Sequence, residues 1–408
     1  MPSTVLSGVK VLDLSRVLAA PLAAQLLGDL GADVIKVERP GKGDESRGYG
    51  PPFRHDADDT PTTDSAFYLA CNRNKRSITV DMGHPDGQEV IRRLAARSDV
   101  VIENFKTGGL ARYGLDYESL KAVNPRLVYC SITGYGQDGP MAAKPGYDGV
   151  FQALSGFMNV SGHPDSEPGG GPMKVGISII DILTSLYAAN AIQAALYERD
   201  ARGTGEGQYI DLSLLDCGVA SLSHFAMSYL VSGEIPERRG NGGFGGVPSQ
   251  AFQCRDRQIF IVAGAEHQFA ALCRAIQRPE LPTDPRFAST SKRIENRKAL
   301  SQVLDTVFAR ETADHWLALL DANDVPSGPV NTFAEALAEP QIVHRQMQRQ
   351  VDHATGPLDI LANPIRLSRS PIGDYAAPPL LGQHTADILK EIGFDAAQQA
   401  HLHAAKAV

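Results

Sequence analysis

The chain has 408 residues, 43% of them hydrophobic and 21% charged, the balance of an ordinary globular protein long enough for about two to three domains. Its net charge of -8, with Lys and Arg scattered among Asp and Glu, excludes nucleic acid as the main partner, because phosphate-backbone binding needs a concentrated basic face. Five widely spaced cysteines with no C-x-x-C pair argue against a disulfide framework or a metal site, and no leader or apolar run near the ~20 residues of a membrane span is evident, so the expected setting is the cytoplasm with no membrane partner.

The first third alternates strand and helix signals. VKVLDL (9–14) reads as a strand, Ala19–Leu30 as a helix ended by Gly31, and DVIKVE (33–38) as a second strand. HPDGQEVIRRLAAR is helical, DVVIENF a strand, GLARYGLDYESLKAV helical and RLVYCSITGYG a strand. This is the pattern of an α/β, doubly wound parallel sheet, in which ligands collect at the carboxyl ends of the strands: here Ser15–Arg16, Arg39, Asn104–Phe105 and Thr133–Gly134. A Gly- and Pro-rich loop, VSGHPDSEPGGGPMK, then leads into a long helix in which Ile182, Leu186, Ala189, Ile192 and Leu196 recur at helical intervals. Beyond PERRGNGGFGGVPSQ, QAFQCRDRQIFIVAG reads as a hairpin, followed by helices at HQFAALCRAIQ and 296–320 and a loop at VPSGPVN. The expected domains are a large one over 1–205, a smaller α/β domain over 225–330, and a C-terminal segment, 335–408.

No G-x-S-x-G elbow, Walker loop or H-E-x-x-H is present, and the first β–α turn, LSRVLAAP, lacks the glycines of a dinucleotide fingerprint. Asp181 is the sharpest candidate. At a helix start the dipole favours its ionised form, which would make it a carboxylate nucleophile at neutral pH; Asp is equally a preferred N-cap, and local sequence leaves both readings open. The glycines at 240, 242, 243, 245 and 246 fit a closing loop that offers N–H donors, or a plain linker. Arg39, Lys75, Arg76 and Arg112 sit beside predicted strand ends or turns, where phosphates could meet them.

Eight stretches together resemble the class III CoA-transferases, the family of formyl-CoA transferase and carnitine CoA-transferase. They are LDLSRVLAAPLAAQLLGDLGADVIKVERPGKGD, NRNKRSITVDM, VIENFKTGGLARYGL, SITGYGQDGP, GYDGVFQALSGFM, GISIIDILTSLYAANAIQAALYER, TGEGQYIDLSLLD and LLGQHTADIL, in that order along nearly the whole chain. NRNKRSI, YCSITGYGQ, LSHFAM, VPSGPVN, EPQIVHR and PPLLGQHT place it closest to the succinyl-CoA:dicarboxylate branch.

The resemblance implies a Rossmann-like large domain, to which the C-terminal segment returns, in an interlocked-ring homodimer. It implies no permanently bound cofactor, an acyl-CoA thioester and a dicarboxylic acid as substrates, and Asp181 as the catalytic aspartate that carries acyl and CoA groups in turn. For CoA it points to Leu18, Ala19, Arg39, Lys75, Asn104, Phe105, Arg112 and Tyr147. Arg16, Arg47 and Arg76 are candidates for the acceptor's distal carboxylate, and Gly242, Gly243, Gly245 and Gly246 for a lid over the site. Arg16 and Leu18 stand where formyl-CoA transferase carries His and Gln, which argues against formate or oxalate as acceptor; glutarate, itaconate, mesaconate and citramalate differ too finely to separate. The alternatives are an α-methylacyl-CoA racemase, disfavoured because Tyr147 replaces the His of its GHD motif, and a non-catalytic acyl-CoA-binding relative.

Overall fold

Short aliphatic runs separated by helix-length segments can pair in parallel once crossover helices cover both faces of the sheet. The computed structural model, which describes residues 4–56, 58–243 and 245–408, has this arrangement. Six strands pair in parallel: β1 (Lys10–Asp13), β2 (Asp33–Glu38), β3 (Lys75–Thr79), β4 (Val100–Glu103), β5 (Val128–Thr133) and β6 (Tyr209–Ser213). Their order across the sheet is β3-β2-β1-β4-β5-β6. The order reverses between β1 and β4, and in open α/β sheets the ligand crevice lies at such a switch point, beyond the carboxyl ends of the strands.

Alternating side chains bury both faces. Val11, Val34, Val100, Ile102 and Val128 pack with α1 (Ala19–Asp29) and a long helix, whereas Leu12, Val37, Val101 and Tyr129 pack with α2 (Pro85–Ala95) and the helix Thr385–Glu391. Between β5 and β6 come α3 (Asp148–Leu154) and that long helix, α4 (Ile179–Ala201). By length and composition α4 could cross a membrane, which the sequence reading had not credited. Ile180, Ala188, Ile192, Ala195 and Leu196 bury one side of it against the sheet and α1, so its hydropathy serves the core. The stretch 109–123, expected to be helical throughout, is a 3-10 turn (Ala111–Tyr113) and a helix (Tyr117–Val123), divided at Gly114 with φ +63°.

The chain divides into two compact units, Met1–Phe157 with Val175–Ala226 and Val343–Val408, and Met158–Lys174 with Met227–Ile342. In the second, β7 (Ser249–Gln253), β8 (Gln258–Val262) and β9 (Ser327–Pro329) form an antiparallel sheet, with the expected hairpin as β7 and β8. Phe252, Ile259, Ile261, Phe269, Leu272, Leu304, Phe308 and Trp316 form its core.

Beneath the crevice of the first unit lies a layer of buried charge. Asp13 at the end of β1 accepts from Lys75 Nζ at 2.8 Å, from Ser15 N at 2.9 Å and from the Ser15 hydroxyl. Burial alone would push the Asp13 carboxyl up, but Lys75 and Lys36 hold it below its usual range. Lys36 Nζ reaches Ser15 O at 3.0 Å and Asp44 at 2.8 Å, and Asp44 accepts from the N–H groups of Val17 and Ser46. Removing one member of such a group leaves uncompensated charge in a dry interior. Asp13→Ala is expected to lower the unfolding free energy by about 3–5 kcal/mol in urea titration, from a shifted midpoint at an unchanged slope; a loss below about 1 kcal/mol would contradict this role.

Candidate active site

Two loops meet where the strand order reverses. After β1, Arg16 N donates to Asn104 Oδ1 at 2.9 Å, and Asn104 Nδ2, just after β4, donates back to Arg16 O at 2.7 Å. The Arg16 guanidinium lies 4.7 Å from the centroid of the Phe105 ring and pairs with Glu45 at 2.6 Å. Val17 adopts φ +71°, a left-handed conformation costly for a β-branched residue, and Asp44 holds it by accepting its N–H at 3.1 Å. Behind this turn α1 begins at Ala19 with no capping side chain, so its first N–H groups and its dipole face the crevice.

The return helix between two parallel strands must run antiparallel to them, which puts the first turn of α4 at the same carboxyl edge. Asp181 is the third residue of that helix and is not its cap. The capping carboxylate comes from Asp148 at the start of α3: its Oδ2 accepts from Ile180 N at 2.8 Å and Asp181 N at 3.2 Å. Buried Gln152 fixes Asp148, donating to Oδ1 at 2.5 Å while its own Oε1 accepts from Val175 N at 2.9 Å. The approach is close because Gly134 and Gly146 flank the Phe151 ring, where a Cβ on either would come within 2.7 or 2.2 Å of Cζ.

Neither Asp148 nor Asp181 has an ion-pair partner among the described residues. Desolvation, and then the charge of Asp148, push the Asp181 carboxyl up to about 7. The helix start was expected to favour the ionised form of Asp181; the cap position belongs instead to Asp148, and burial moves the Asp181 carboxyl in the opposite direction. Glu103, buried at the end of β4, is also pushed up to about 7 by desolvation, although Ser131 Oγ and Phe105 N donate to it.

Of the residues singled out in the sequence, Arg16, Leu18, Ala19, Asn104 and Phe105 come together at the crevice, and Tyr147 precedes α3 with 69% of its surface exposed. Arg39 is exposed after β2, and Arg112 is exposed beside the Tyr113 ring; neither has an ion pair among the described residues.

Three basic candidates are corrected. Lys75 is buried, its three donors spent on Asp13, Pro21 O and Asn72. Arg47 is buried and spends its guanidinium on Glu38, Asp64, the Tyr68 hydroxyl and Pro379 O. Arg76 pairs with Asp33 and Glu391 at the amino end of the sheet, away from the crevice.

Gly242, Gly243, Gly245 and Gly246 belong to the second unit; Phe244 between them lies outside the described residues. A Cβ on Gly246 would meet the backbone of Gly264 at 2.9 Å and one on Gly243 would meet Ser249 Oγ at 2.6 Å, so those two serve close packing, whereas Gly245 is open. Sequence reasoning missed Asp148, Gln152, Glu103 and Tyr49. Tyr49 is 42% exposed and within electrostatic reach of Glu45, Tyr147 and Arg16.

Known proteins resemble this chain over nearly its whole length. Residues 6–385 match the family described as CoA-transferase family III. The chain is 43% identical to the human succinyl-CoA:glutarate CoA-transferase over 388 residues, covering 95% of this chain and 86% of that one. It is 42% identical to the succinate–glutarate CoA-transferase of Agrobacterium fabrum, covering 95% of each. The crystal structure of a CAIB/BAIF family protein from Brucella suis superposes with a TM-score of 0.85 at 46% identity, over 95% of this chain and 99% of that one.

Raising a carboxyl from its ordinary value to about 7 makes the folded protein bind that proton more tightly than the unfolded chain does. The ionised form therefore costs stability progressively as pH climbs from about 4 through 7. Asp181→Asn is expected to be more stable than the wild type by about 2 kcal/mol or more at pH 8, with a smaller gap at pH 5, in urea titrations at both pH values. A variant less stable at pH 8 would show that Asp181 stabilises its helix after all.

Proposed function

The chain belongs to CoA-transferase family III, and from that premise we propose that it moves coenzyme A from succinyl-CoA to a C5 dicarboxylate, glutarate first among them, through covalent intermediates on Asp181. One observation carries the reading: Asp181 is a half-buried carboxylate with no ion-pair partner among the described residues, placed on the first turn of a helix at the carboxyl edge of a parallel sheet. A carboxylate with that basicity is a stronger nucleophile, once ionised, than one held low by a salt bridge.

In the proposed sequence the Asp181 carboxylate adds to the thioester carbonyl of the donor and the C–S bond breaks, giving an aspartyl–succinyl anhydride and CoA thiolate. The thiolate adds to the aspartyl carbonyl and its bond to succinate breaks, leaving Asp181 as a CoA thioester. A glutarate carboxylate adds to that carbonyl and expels the thiolate, which attacks the glutaryl carbonyl, forms glutaryl-CoA and restores Asp181. Each step exchanges groups of similar energy, which suits an acceptor that is itself a carboxylate.

The uncapped first turn of α1 at Leu18 and Ala19 suits the CoA pyrophosphate, and the exposed guanidinium groups of Arg39 and Arg112 suit its phosphates. Asn104, Phe105 and Tyr147 would line the path to Asp181. Arg16 is the candidate reader of the acceptor's second carboxylate, because its pair with Glu45 is close to half exposed on both sides and such pairs exchange cheaply. Gly245 is the open glycine suited to a closing loop. The proposal includes a homodimer: Leu230, Val231, Ile235 and Phe333 expose 70–88% of their surface, apolar side chains that a partner chain would cover. An active monomer in sedimentation would contradict it.

With succinyl-CoA and glutarate, glutaryl-CoA should appear by mass, and Asp181→Ala should lower its rate at least ~10³-fold. Because the nucleophile acts deprotonated, kcat/KM for succinyl-CoA should rise with pH and level off above about 7. Transfer that survives Asp181→Ala would remove Asp181 from the chemistry.

A further inference from the structure

We propose that Asp148 is the positioning residue of this reaction: by occupying the anion position at the start of α4 it denies that position to Asp181 and leaves the nucleophile's carboxylate uncapped and free to react. The inference rests on the reading of Asp181 as nucleophile. Its ground is the geometry of the helix terminus. The first turn of α4 has few N–H groups to offer, and those of Ile180 and Asp181 both donate to Asp148 Oδ2, at 2.8 and 3.2 Å. Ser178, at the cap position, contributes no side-chain bond, so Asp148, 33 residues away from Asp181, supplies the cap in its place.

The second oxygen of Asp148 is held by Gln152, one turn along α3. Gln152 also clasps Val175 and Ile177, the residues entering α4, through Val175 N at 2.9 Å and the Val175 and Ile177 carbonyls at 3.4 and 3.3 Å. Asp148, Gln152 and the first turn of α4 are thereby one hydrogen-bonded unit, and Asp181 is the carboxylate in it that no group of the unit satisfies.

The other titratable groups on elements packed against α4 are Asp29 on α1, Tyr129 and Cys130 on β5, Tyr209 and Asp211 on β6, and Asp216 and Cys217 on the helix Leu214–Ser221. Among the described residues, Asp148 is the charged group that pushes the Asp181 carboxyl up, after burial itself. Its negative charge beside the nucleophile raises the energy of the ionised Asp181 without touching substrate. A carboxylate acting only as a helix cap would lower activity when lost but would leave the ionisation of Asp181 where it was.

The test is the pH dependence of kcat/KM for succinyl-CoA, with glutarate as acceptor, in wild type and Asp148→Asn. Asparagine keeps an oxygen for the Ile180 and Asp181 N–H groups and removes the charge. The midpoint is expected to fall by about one pH unit, because the like charge is gone, while kcat drops. Asp148→Glu, which keeps the charge but shifts the cap, should retain the high midpoint at reduced kcat. If Asp148→Asn fails to fold, Asp148→Ser, also a helix-capping residue without charge, carries the same expectation. A midpoint unmoved in the uncharged variant, with glutaryl-CoA still formed by the wild type, would overturn the inference alone. Absence of any CoA exchange by the wild type would overturn the reading on which it rests.

Discussion

Asp13 at the end of β1 sits between two buried lysines, Lys75 and Lys36, and the turn after β1 is tied to that arrangement through Ser15, Asp44 and Val17. Ions taken out of water must be paired and hydrogen-bonded, or they neutralise. Here the pairing runs outward from β1. Lys36 ties Ser15 O to Asp44, and Asp44 in turn fixes Val17 in its left-handed turn and the 3-10 turn at Glu45–Gly48. Glu38 and Asp64 are neutralised by Arg47 in the same way. The outcome is a rigid rim around the crevice between β1 and β4, from which Arg16, Asn104, Phe105 and the start of α1 are presented.

In contrast to that rim, the carboxylates at the start of α4 have no ion-pair partner among the described residues. Asp148 is satisfied by the backbone N–H groups of Ile180 and Asp181 and by Gln152. Asp181 has its own N–H taken by Asp148 and gains nothing in return, so burial raises its carboxyl to about 7. Two neighbouring aspartates are thus divided, by hydrogen bonding and not by residue type, into one that is satisfied and one whose carboxyl is not, which is the contrast the proposed chemistry uses. The stability forgone at Asp181 resides in a helix that the core holds by Ile180, Ala188, Ile192 and Leu196, which are buried against α1 and the sheet.

The parallel sheet was readable in the sequence because strand and helix periodicities alternate cleanly through 9–136, and the carboxyl ends at Arg16 and Asn104 followed from it. The basic residues were not. Lys75, Arg47 and Arg76 look like ligand-facing cations in the sequence, but their partners Asp13, Asp64 and Glu391 lie 17 to 315 residues away, and no local pattern reveals them. Asp148 escaped for the same reason: beside the conspicuous Tyr147 it reads as an ordinary first-turn aspartate, and its bond to α4 spans a long loop. Local sequence left Asp181 open between cap and nucleophile, and the cap position is held by Asp148, a residue far away along the chain.

The most direct test of Asp181 as the covalent carrier follows an oxygen atom. With unlabelled succinyl-CoA and glutarate bearing ¹⁸O in its carboxylates, a single turnover should deposit one labelled oxygen in the Asp181 carboxyl and none in the first succinate released, read by mass spectrometry of the peptide containing Asp181 and of the acid. Label appearing in that first succinate, with Asp181 unlabelled, would mean that glutarate attacks succinyl-CoA directly, and the covalent account would be wrong.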